Sequence, residues 1–263
     1  MENTSVKHRI LEAAKPYLEN LTVKDLVVGI SLIAVQLSNE AVGVSYVLRY
    51  GLPPECAAFG YARNAIGMSA WDVANWSVEA KDNVGRSIGG AVLAAASQQL
   101  DIADDTDEKC HYGMEITPED TVGMIGFIKP VAKTLSSQVK KLYVFDEGVS
   151  LYEGTIHVCG MDQQPVVLPQ CTKMIITGSS TINGSIDGLL EMCSNAQHIA
   201  MVGSSTPMFP EGWKDTKVTA LAGSWWPKDK KEEIFRIISQ GGGIAQLRSI
   251  IQHKIAFVSL EVT

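Results

Sequence analysis

The chain has 263 residues, of which 46% are hydrophobic and 19% charged, so it is long enough for one or two domains with substantial cores. Its formal net charge of -7 argues against binding to nucleic acid or to an anionic membrane, because such partners usually require a basic patch. The longest apolar stretch, which begins at Leu26, has only about a dozen residues and is too short to span a bilayer. The five cysteines include no CxxC pair and the first residues lack a secretory signal pattern, so a cytoplasmic protein is expected.

Residues 1–101 are predicted to form a small α+β domain. Hydrophobic spacing predicts a helix over 5–21, followed by a hairpin of two strands, 24–37 and 40–50, that turns around residues 38–40. Two further helices are predicted over 69–80 and 84–100. In the last helix, one face carries Ile88, Ala91, Val92 and Ala95 together with nearby glycines. Side chains this small predict that another backbone packs close to this face.

The segment 102–118 is predicted to be an exposed acidic linker between two domains. It is dense in Asp and Glu and poor in large apolar residues. Cys110 and His111 lie among these acids, but an adjacent Cys-His pair lacks the spacing of a zinc site. A solvated linker is therefore the preferred interpretation.

Residues 119–263 alternate between short apolar strands and helices. The predicted strands are TVGMIGF, KLYVFD, KMIITG, HIAMVG, KVTALAG and KIAFVSL, which begin at residues 121, 141, 173, 198, 217 and 254. Their nearly continuous apolar character is typical of strands buried on both faces. Strands that alternate with helices predict a Rossmann-like, doubly wound and mostly parallel sheet. The predicted fold class is thus α/β plus α+β.

Ligands of such sheets bind beyond the carboxyl ends of the strands, so the strand ends carry the candidate site. The first two ends contribute Gly126, Phe127, Lys129, Pro130, Asp146 and Glu147. The acid at 146 has the offset from Gly126 at which a Rossmann acid meets a ribose hydroxyl. However, Phe127 and Pro130 replace the usual phosphate-binding glycines and would crowd a pyrophosphate. NAD and NADP are therefore not expected as cofactors, and the cofactor stays unknown.

The third and fourth strand ends share the string Gly-Ser-Ser-Thr. They contribute the candidate residues Gly178, Ser179, Ser180, Thr181, Asn183, Gly203, Ser204, Ser205, Thr206 and Pro207. Glycines let a ligand approach the backbone, whereas Ser and Thr either cap the next helix or bind ligand oxygens. Asn183 is similarly open to two interpretations, a ligand contact or a cap before Gly184.

Four strings at these strand ends carry a resemblance to a known family. DTVGMIGFIKP, YVFDEG, IITGSSTINGSIDGLL and VGSSTPMFP, in this order, resemble the bacterial and archaeal family called the putative heavy-metal chelation domain. The resemblance covers roughly residues 110–263, and the preceding segment is similar to the enolase-N-terminal-like domain that accompanies it. It implies a Rossmann-like domain packed on an enolase-N-like domain, with a ligand site in the cleft between them. Where the family has one glutamate after the second strand, this chain has an Asp-Glu pair, which leaves open which acid faces the ligand.

The resemblance also implies a link to metal-chelating small molecules such as pterin-, flavin- or siderophore-like compounds. The first functional hypothesis is an enzyme that condenses or hydrolyses a small heteroaromatic metabolite. A non-catalytic protein that binds a metal or a metal chelate is the second, and a methyltransferase-like enzyme with a nucleoside cofactor is the third. No metal-ligand cluster is identifiable, because the histidines are scattered along the chain.

Polar residues of the first domain could reach the cleft from the other side. The candidates near its glycine-rich turns are Arg63, Asn64, Glu79 and Arg86. No pair of nucleophile and base can be named from the sequence. The expected partner is a small-molecule ligand, and a homodimer is compatible with the sequence.

Overall fold

The computed structural model describes residues 5–48, 59–106, 111–148, 152–153 and 156–258. Its helices are α1 (Val6–Ala14), α2 (Gly60–Asn64), α3 (Ala70–Glu79), α4 (Asn83–Ala96), α5 (Lys129–Leu135), α6 (Gln164–Val167), α7 (Ser179–Asn183), α8 (Ile186–Met192), α9 (Lys231–Ser239) and α10 (Ile244–Leu247). Its strands are β1 (Val23–Val28), β2 (Leu32–Leu37), β3 (Val42–Tyr46), β4 (Ala103–Asp104), β5 (Thr121–Ile125), β6 (Lys141–Phe145), β7 (Tyr152–Glu153), β8 (Ile156–Cys159), β9 (Lys173–Thr177), β10 (His198–Val202), β11 (Val218–Trp225) and β12 (Gln252–Phe257). Short 3-10 helices cover Lys15–Tyr17, Ser97–Gln99, Met161–Gln163, Leu168–Gln170, Pro210–Trp213 and Lys228–Lys230.

The small sheet is antiparallel and has the strand order β1-β2-β3. The predicted hairpin is present between β2 and β3, but the prediction of one strand over 24–37 was wrong. The chain turns within this segment, where the Gly29 amide donates a hydrogen bond of 2.9 Å to the Leu32 carbonyl. A Cβ at Gly29 would lie 2.4 Å from the Ile238 carbonyl of α9. Gly29 thus packs against α9, whereas Ile30 at the same turn is 65% exposed, so the apolar run continues through a turn that is only partly buried.

The predicted close approach to the small-residue face of α4 is confirmed. A Cβ on Gly43 of β3 would lie 2.0 Å from the Ala91 carbonyl, and one on Gly89 would lie 2.3 Å from the Ser77 amide of α3. Contacts this short leave room only for glycine. Helix α4 is consequently clamped between the small sheet and α3, and its other neighbours include α7.

The large sheet has the strand order β4-β12-β11-β10-β9-β5-β6-β8-β7. All six predicted strands are present, and β6, β5, β9, β10 and β11 run parallel to their neighbours in this series. The last predicted strand, β12, is antiparallel to β11. From β5 the chain goes to β6 on one side, whereas β9 lies on the other side of β5. The chain order therefore reverses between β5 and β9, the place where open α/β sheets bind ligands.

The architecture is thus a mixed α/β arrangement of a large, mostly parallel sheet and a small antiparallel sheet. One core cluster contains side chains from both predicted domains, among them Ile10 and Ile88 from the first, and Ile176 and Met208 from the second. The predicted linker contributes β4, which pairs with β12, and Asp104 forms an ion pair of 2.8 Å with Lys254. Met114 in the same segment is 1% exposed, so the segment is anchored to the large sheet, and the boundary 102–118 stays a prediction.

Within the described residues, no helix has the length and the apolar character that crossing a bilayer would need.

Candidate functional site

The turn after β5 is held by its own side chains and backbone. Gly126 has a φ of 86°, and a Cβ there would lie 2.9 Å from the Thr177 Cβ of β9, so glycine satisfies both the backbone and the space. The carboxylate of Asp146 accepts hydrogen bonds from the Phe127 amide at 2.7 Å and from the Gly148 amide at 2.8 Å. Asp146 therefore ties the ends of β5 and β6 together.

The other predicted residues of this edge differ in exposure. Phe127 is half-buried and packs against a core cluster that contains Met124. Lys129 and Pro130 are exposed at the start of α5, and Glu147 is exposed beside Asp146. Of the two adjacent acids, Asp146 faces the turn and Glu147 faces solvent.

The Gly-Ser-Ser-Thr string after β9 begins α7 and is buried. Ser180 Oγ donates to the Thr177 carbonyl at 2.8 Å, and Thr181 Oγ1 donates to the Gly178 carbonyl at 2.8 Å. A Cβ on Gly178 would lie 2.4 Å from the Thr206 amide, so the third and fourth strand ends touch through their backbones. The hydroxyl groups of Ser180 and Thr181 are thus engaged in local hydrogen bonds.

The second such string, after β10, is buried against the small sheet. Ser205 Oγ accepts a hydrogen bond of 2.9 Å from the Tyr46 amide and lies 3.2 Å from Ser45 Oγ of β3. Ser204 Oγ donates to Ser224 Oγ at 3.3 Å. Thr206 Oγ1 is buried and has no hydrogen-bond partner among the residues that the structure describes. This string therefore joins the two sheets through Ser205, while the hydroxyl of its threonine makes no bond to the described part of the chain.

Asn183 ends α7 at the surface. Its Oδ1 accepts a hydrogen bond of 3.0 Å from the Ser185 amide, and Gly184 follows in the left-handed region with a φ of 79°. This geometry is an Asx turn before Gly184, which is close to the turn role left open for Asn183, although the cap positions themselves are taken by Gly184 and Ser185.

A narrow cleft opens at the carboxyl edge of the large sheet, between α1, α3 and α4 on one side and α7 with the loop after β10 on the other. It is nearly closed, with a cavity volume of only about 10 Å³, and its lining residues are Lys7, Ile10, Ser77, Arg86, Gly90, Leu93, Thr181, Ile182 and Pro207. Three of the predicted site residues, Arg86, Thr181 and Pro207, come together here. Arg63, Asn64 and Glu79 are exposed and do not line it.

Lys7 is the charged residue of this cleft that sequence reasoning missed. It lies on the face of α1 that buries Ile10, Leu11 and Ala14. The sequence did contain a signal for this placement. Lys7 precedes the apolar residues Ile10 and Leu11 by three and four positions, so it lies on their face of the helix. Burial, followed by the neighbouring charge of Arg86, lowers the pKa of Lys7, and Asp187 opposes this shift.

A second hollow, of about 350 Å³, lies between the β1–β2 hairpin and α9. Charged side chains surround it and pair with one another, for example Lys24 with Glu40 and Lys231 with Asp25. It is larger than the cleft, but it lies away from the strand ends, and its cations and carboxylates largely neutralise each other. The cleft is therefore the stronger candidate site.

The described cysteines Cys159, Cys171 and Cys193 are free and buried. Burial raises the pKa of Cys171 to about 12 and that of Cys193 to about 11, so both thiols are protonated at neutral pH. In the part of the chain that the structure describes, no three His, Cys, Asp or Glu side chains are grouped so that they could hold a metal ion.

The fold and the cleft define a mixed α/β protein whose candidate site lies where two parts of the chain meet. Family models with one shared description match both parts of the chain. The family described as putative heavy-metal chelation matches residues 110–257, and a second family with the same description matches residues 11–97. The chain belongs to the putative heavy-metal chelation family, because the first match alone covers more than half of it.

Two solved structures of this family have the same fold. The structure from Desulfitobacterium hafniense has a TM-score of 0.78 at 18% identity and covers 98% of this chain and 100% of its own. The structure from Pyrococcus horikoshii has a TM-score of 0.76 at 20% identity, with coverages of 97% and 100%. Both proteins have unknown function. An uncharacterised protein of Methanocaldococcus jannaschii is 25% identical over 144 residues, which are 54% of each chain.

Proposed function

We propose that this protein binds a small organic molecule, of the kind that chelates heavy metals, at the cleft between α4 and α7, which has to widen from its closed form of about 10 Å³ to admit it. The observation that carries the proposal is the origin of the lining residues. Ser77, Arg86 and Gly90 come from the segment 11–97, and Thr181 and Pro207 come from the segment 110–257, so the two family segments build one concavity. Concave sites between two packed units are where small ligands most often bind.

The position of the cleft in the sheet supports the same proposal. Thr181 and Pro207 follow β9 and β10, and the chain order reverses next to β9. We further propose that the large sheet is Rossmann-like and that residues 1–101 form an enolase-N-like domain, joined by the segment 102–118. Under this assignment the cleft corresponds to the usual ligand crevice of a doubly wound sheet.

The ligand class is proposed from the family description and from the residues around the turn after β5. Asp146, which in a dinucleotide fold would read a ribose, instead holds the Phe127 amide. This use of the acid disfavours NAD and NADP, and it weakens the case for a nucleoside-cofactor enzyme. A pterin-, flavin- or siderophore-like compound, bound in the cytoplasm with or without its metal, is the proposed ligand.

Two functions are compatible with such a ligand. The first candidate is an enzyme that condenses or hydrolyses the compound, and the second is a non-catalytic carrier of a metal chelate. The carrier is favoured by the local hydrogen bonds of the Ser180 and Thr181 hydroxyls, which are occupied rather than poised for attack. Turnover of a bound compound, followed by mass spectrometry, separates the two candidates.

A thermal-shift screen tests the proposal. Pterins, flavins, catechol and hydroxamate chelators, adenosine cofactors and divalent or trivalent metal ions are added separately, and each chelator is also added with its metal. A ligand that binds the native state raises the melting temperature as its concentration exceeds Kd. We expect a chelator, alone or metal-loaded, to raise it. Stabilisation by a metal ion alone or by an adenosine cofactor alone would contradict the proposed ligand class.

A further inference from the structure

The charged hollow between the β1–β2 hairpin and α9 has room for a small molecule. Its volume of about 350 Å³ falls in the range of about 300–1,000 Å³ that is typical of small-molecule sites. Both family segments contribute to its walls, and the lining residues are Lys24, Asp25, Gln36, Glu40, Lys228, Asp229, Lys231 and Glu232.

Gln36 is a polar residue in a deeply buried position of this lining. It follows Leu32 and Ala34 on the face of β2 that packs against α9, so it interrupts a buried apolar row, and it is only 5% exposed. Its Nε2 donates a hydrogen bond of 2.8 Å to Glu40 Oε2. Its Oε1 accepts no hydrogen bond from the described residues and is not enclosed by protein, so this oxygen faces the hollow. An open acceptor at such depth suits a ligand that donates a hydrogen bond.

The ammonium groups of the hollow are already engaged. The pairs are Lys231 with Asp25 and Glu232, Lys24 with Glu40, and Lys228 with the Asn39 carbonyl. The Lys231 side chain is 14% exposed, so its pairs lie in the wall of the hollow rather than in open solvent. An anionic ligand would therefore have to displace an acceptor that is already bound.

The acceptors of the hollow are in excess over its donors. Four carboxylates face three ammonium groups, which leaves a formal charge of -1. Among the described residues, the Asp229 side chain forms no hydrogen bond and no ion pair. The groups left for a ligand are thus the Gln36 carbonyl oxygen and a surplus carboxylate, and both accept hydrogen bonds.

An organic cation matches these groups better than a metal ion does. The described part of the chain contains no group of three His, Cys, Asp or Glu side chains that could hold a metal, and the hollow is far larger than a single ion needs. A primary ammonium group carries one positive charge and three N–H donors, so it can bond to a carboxamide oxygen and to a carboxylate at once.

We propose that the charged hollow binds a small organic molecule with a primary ammonium group, which donates a hydrogen bond to Gln36 Oε1 and lies against the surplus carboxylate. This site is separate from the cleft, so the inference does not depend on the proposed function. It also accounts for a glutamine at a position of β2 where an apolar side chain would continue the row of Leu32 and Ala34 without any cost in desolvation.

The test compares probes that share one four-carbon chain. Butylammonium is the cation, butanol its neutral counterpart and butyrate the anion. NMR titrations at constant ionic strength follow the side-chain amide of Gln36 and the backbone amide of Glu40. The wild type should bind butylammonium roughly tenfold more tightly than butanol, the effect of one hydrogen bond to a charged group. Butyrate should leave both signals unchanged at about 100 mM, a concentration that reveals a millimolar Kd.

Three variants separate the role of the lining from general electrostatics. Gln36→Met keeps the length of the side chain and removes the acceptor, so butylammonium should bind roughly tenfold more weakly. Asp229→Asn keeps the shape of an exposed residue and should weaken binding about twofold to fivefold, as for an exposed ion pair. Asp162→Asn is the matched control, because it removes the same charge from an exposed residue after β8, at the other end of the large sheet, and it should behave as the wild type. The comparison of probes on the wild type needs no variant, so it decides even if Gln36→Met fails to fold.

Several outcomes would overturn the inference. Equal affinity for butylammonium and butanol, or tighter binding of butyrate, would refute a site for cations. Calcium ions that shift the same two signals at lower concentration than butylammonium would show a metal site instead. An unchanged affinity for butylammonium in Gln36→Met would refute the contact with Gln36. If none of the probes shifts the signals, the hollow is not a binding site, whereas the function proposed for the cleft is untouched.

Discussion

Asp146 and Glu147 are adjacent acids with different surroundings. Both oxygens of Asp146 accept backbone amides, whereas Glu147 is exposed. Asp146→Ala should lower the free energy of unfolding by about 1.5–3 kcal/mol, because it removes hydrogen bonds to a charged group. Glu147→Ala is the matched control and should change it by less than about 0.5 kcal/mol. Urea unfolding of the three proteins measures both effects, and equal losses in the two variants would show that the Asp146 carboxylate does not hold the turn.

Asn183 gives a second prediction at this scale. Its Oδ1 accepts the Ser185 amide, and an aspartate can make the same bond. Asn183→Asp should leave the melting temperature nearly unchanged, whereas Asn183→Ala should cost about 1 kcal/mol, the usual value of one lost hydrogen bond. Once a ligand is known, Asn183→Asp should bind it as the wild type does. A clear loss of affinity in this variant would restore Asn183 to the site.

The residue scale is also where the sequence was least informative about the site. The Gly-Ser-Ser-Thr strings were correctly placed at two strand ends, but a string cannot tell a hydroxyl that faces a ligand from one that bonds to the preceding turn. Ser205 bonds to the backbone of Tyr46, a partner 159 positions away in the chain. Such long-range partners decide whether a polar residue is a ligand contact, and no local pattern contains them.

At the scale of elements, the third and fourth strand ends are joined through Gly178. A Cβ there would lie 2.4 Å from the Thr206 amide and 2.5 Å from the Ser205 carbonyl carbon. Gly178→Ala should therefore destabilise the protein by about 1–3 kcal/mol, since backbone atoms have to move apart.

Gly188 provides the matched control for this substitution. It lies inside α8, and outside the backbone of that helix no heavy atom of the described residues comes within 4 Å of an added Cβ. Gly188→Ala should stabilise the protein by about 0.5–1 kcal/mol, because alanine is the better residue in a helix interior. Thermal unfolding compares the two variants. Similar effects of both substitutions would mean that the strand ends are not in close contact.

The elements themselves could largely be predicted from the sequence. The strands β5, β9, β10 and β11 are buried along most of their length, and their apolar runs record this directly, whereas in β6 only Val144 and Phe145 are buried. The β1–β2 turn was missed because Gly29 and Ile30 continue the apolar run, although Ile30 is exposed in the structure. Strand β4 was missed because a two-residue edge strand in an acidic segment has no periodicity to detect.

At the scale of the whole molecule, Asp120 connects the segment before β5 to the start of β9. Its carboxylate accepts hydrogen bonds of 2.7 Å from Thr172 Oγ1 and 2.9 Å from the Thr117 amide. Burial alone would raise the pKa of Asp120, but the hydrogen bonds from Thr172 and Thr117, with Lys173 nearby, outweigh it and hold the pKa below its usual value. The resulting stabilisation is present above the unfolded pKa of about 3.9 and is lost as the pH falls through the lower folded pKa.

Asp120→Asn should therefore lower the free energy of unfolding at neutral pH, and its difference from the wild type should shrink in acid. Urea unfolding near neutral pH and at about pH 3 measures this change. Glu119→Gln is the control, because Glu119 is exposed next to Asp120, and it should have little effect at either pH. A difference between Asp120→Asn and the wild type that stays constant or grows in acid would contradict the account.

The two predicted domains share a core cluster and meet at the cleft, so binding there should stabilise both parts together. Hydrogen exchange, measured with and without the strongest chelator from the thermal-shift screen, is the most direct test of the proposed site. The account predicts that the ligand slows exchange in residues 86–93 and 179–183, which face each other across the cleft, and leaves residues 24–40 and 228–232 around the charged hollow unchanged. Protection centred on the charged hollow, or on α4 without α7, would contradict the assignment of the site to the cleft.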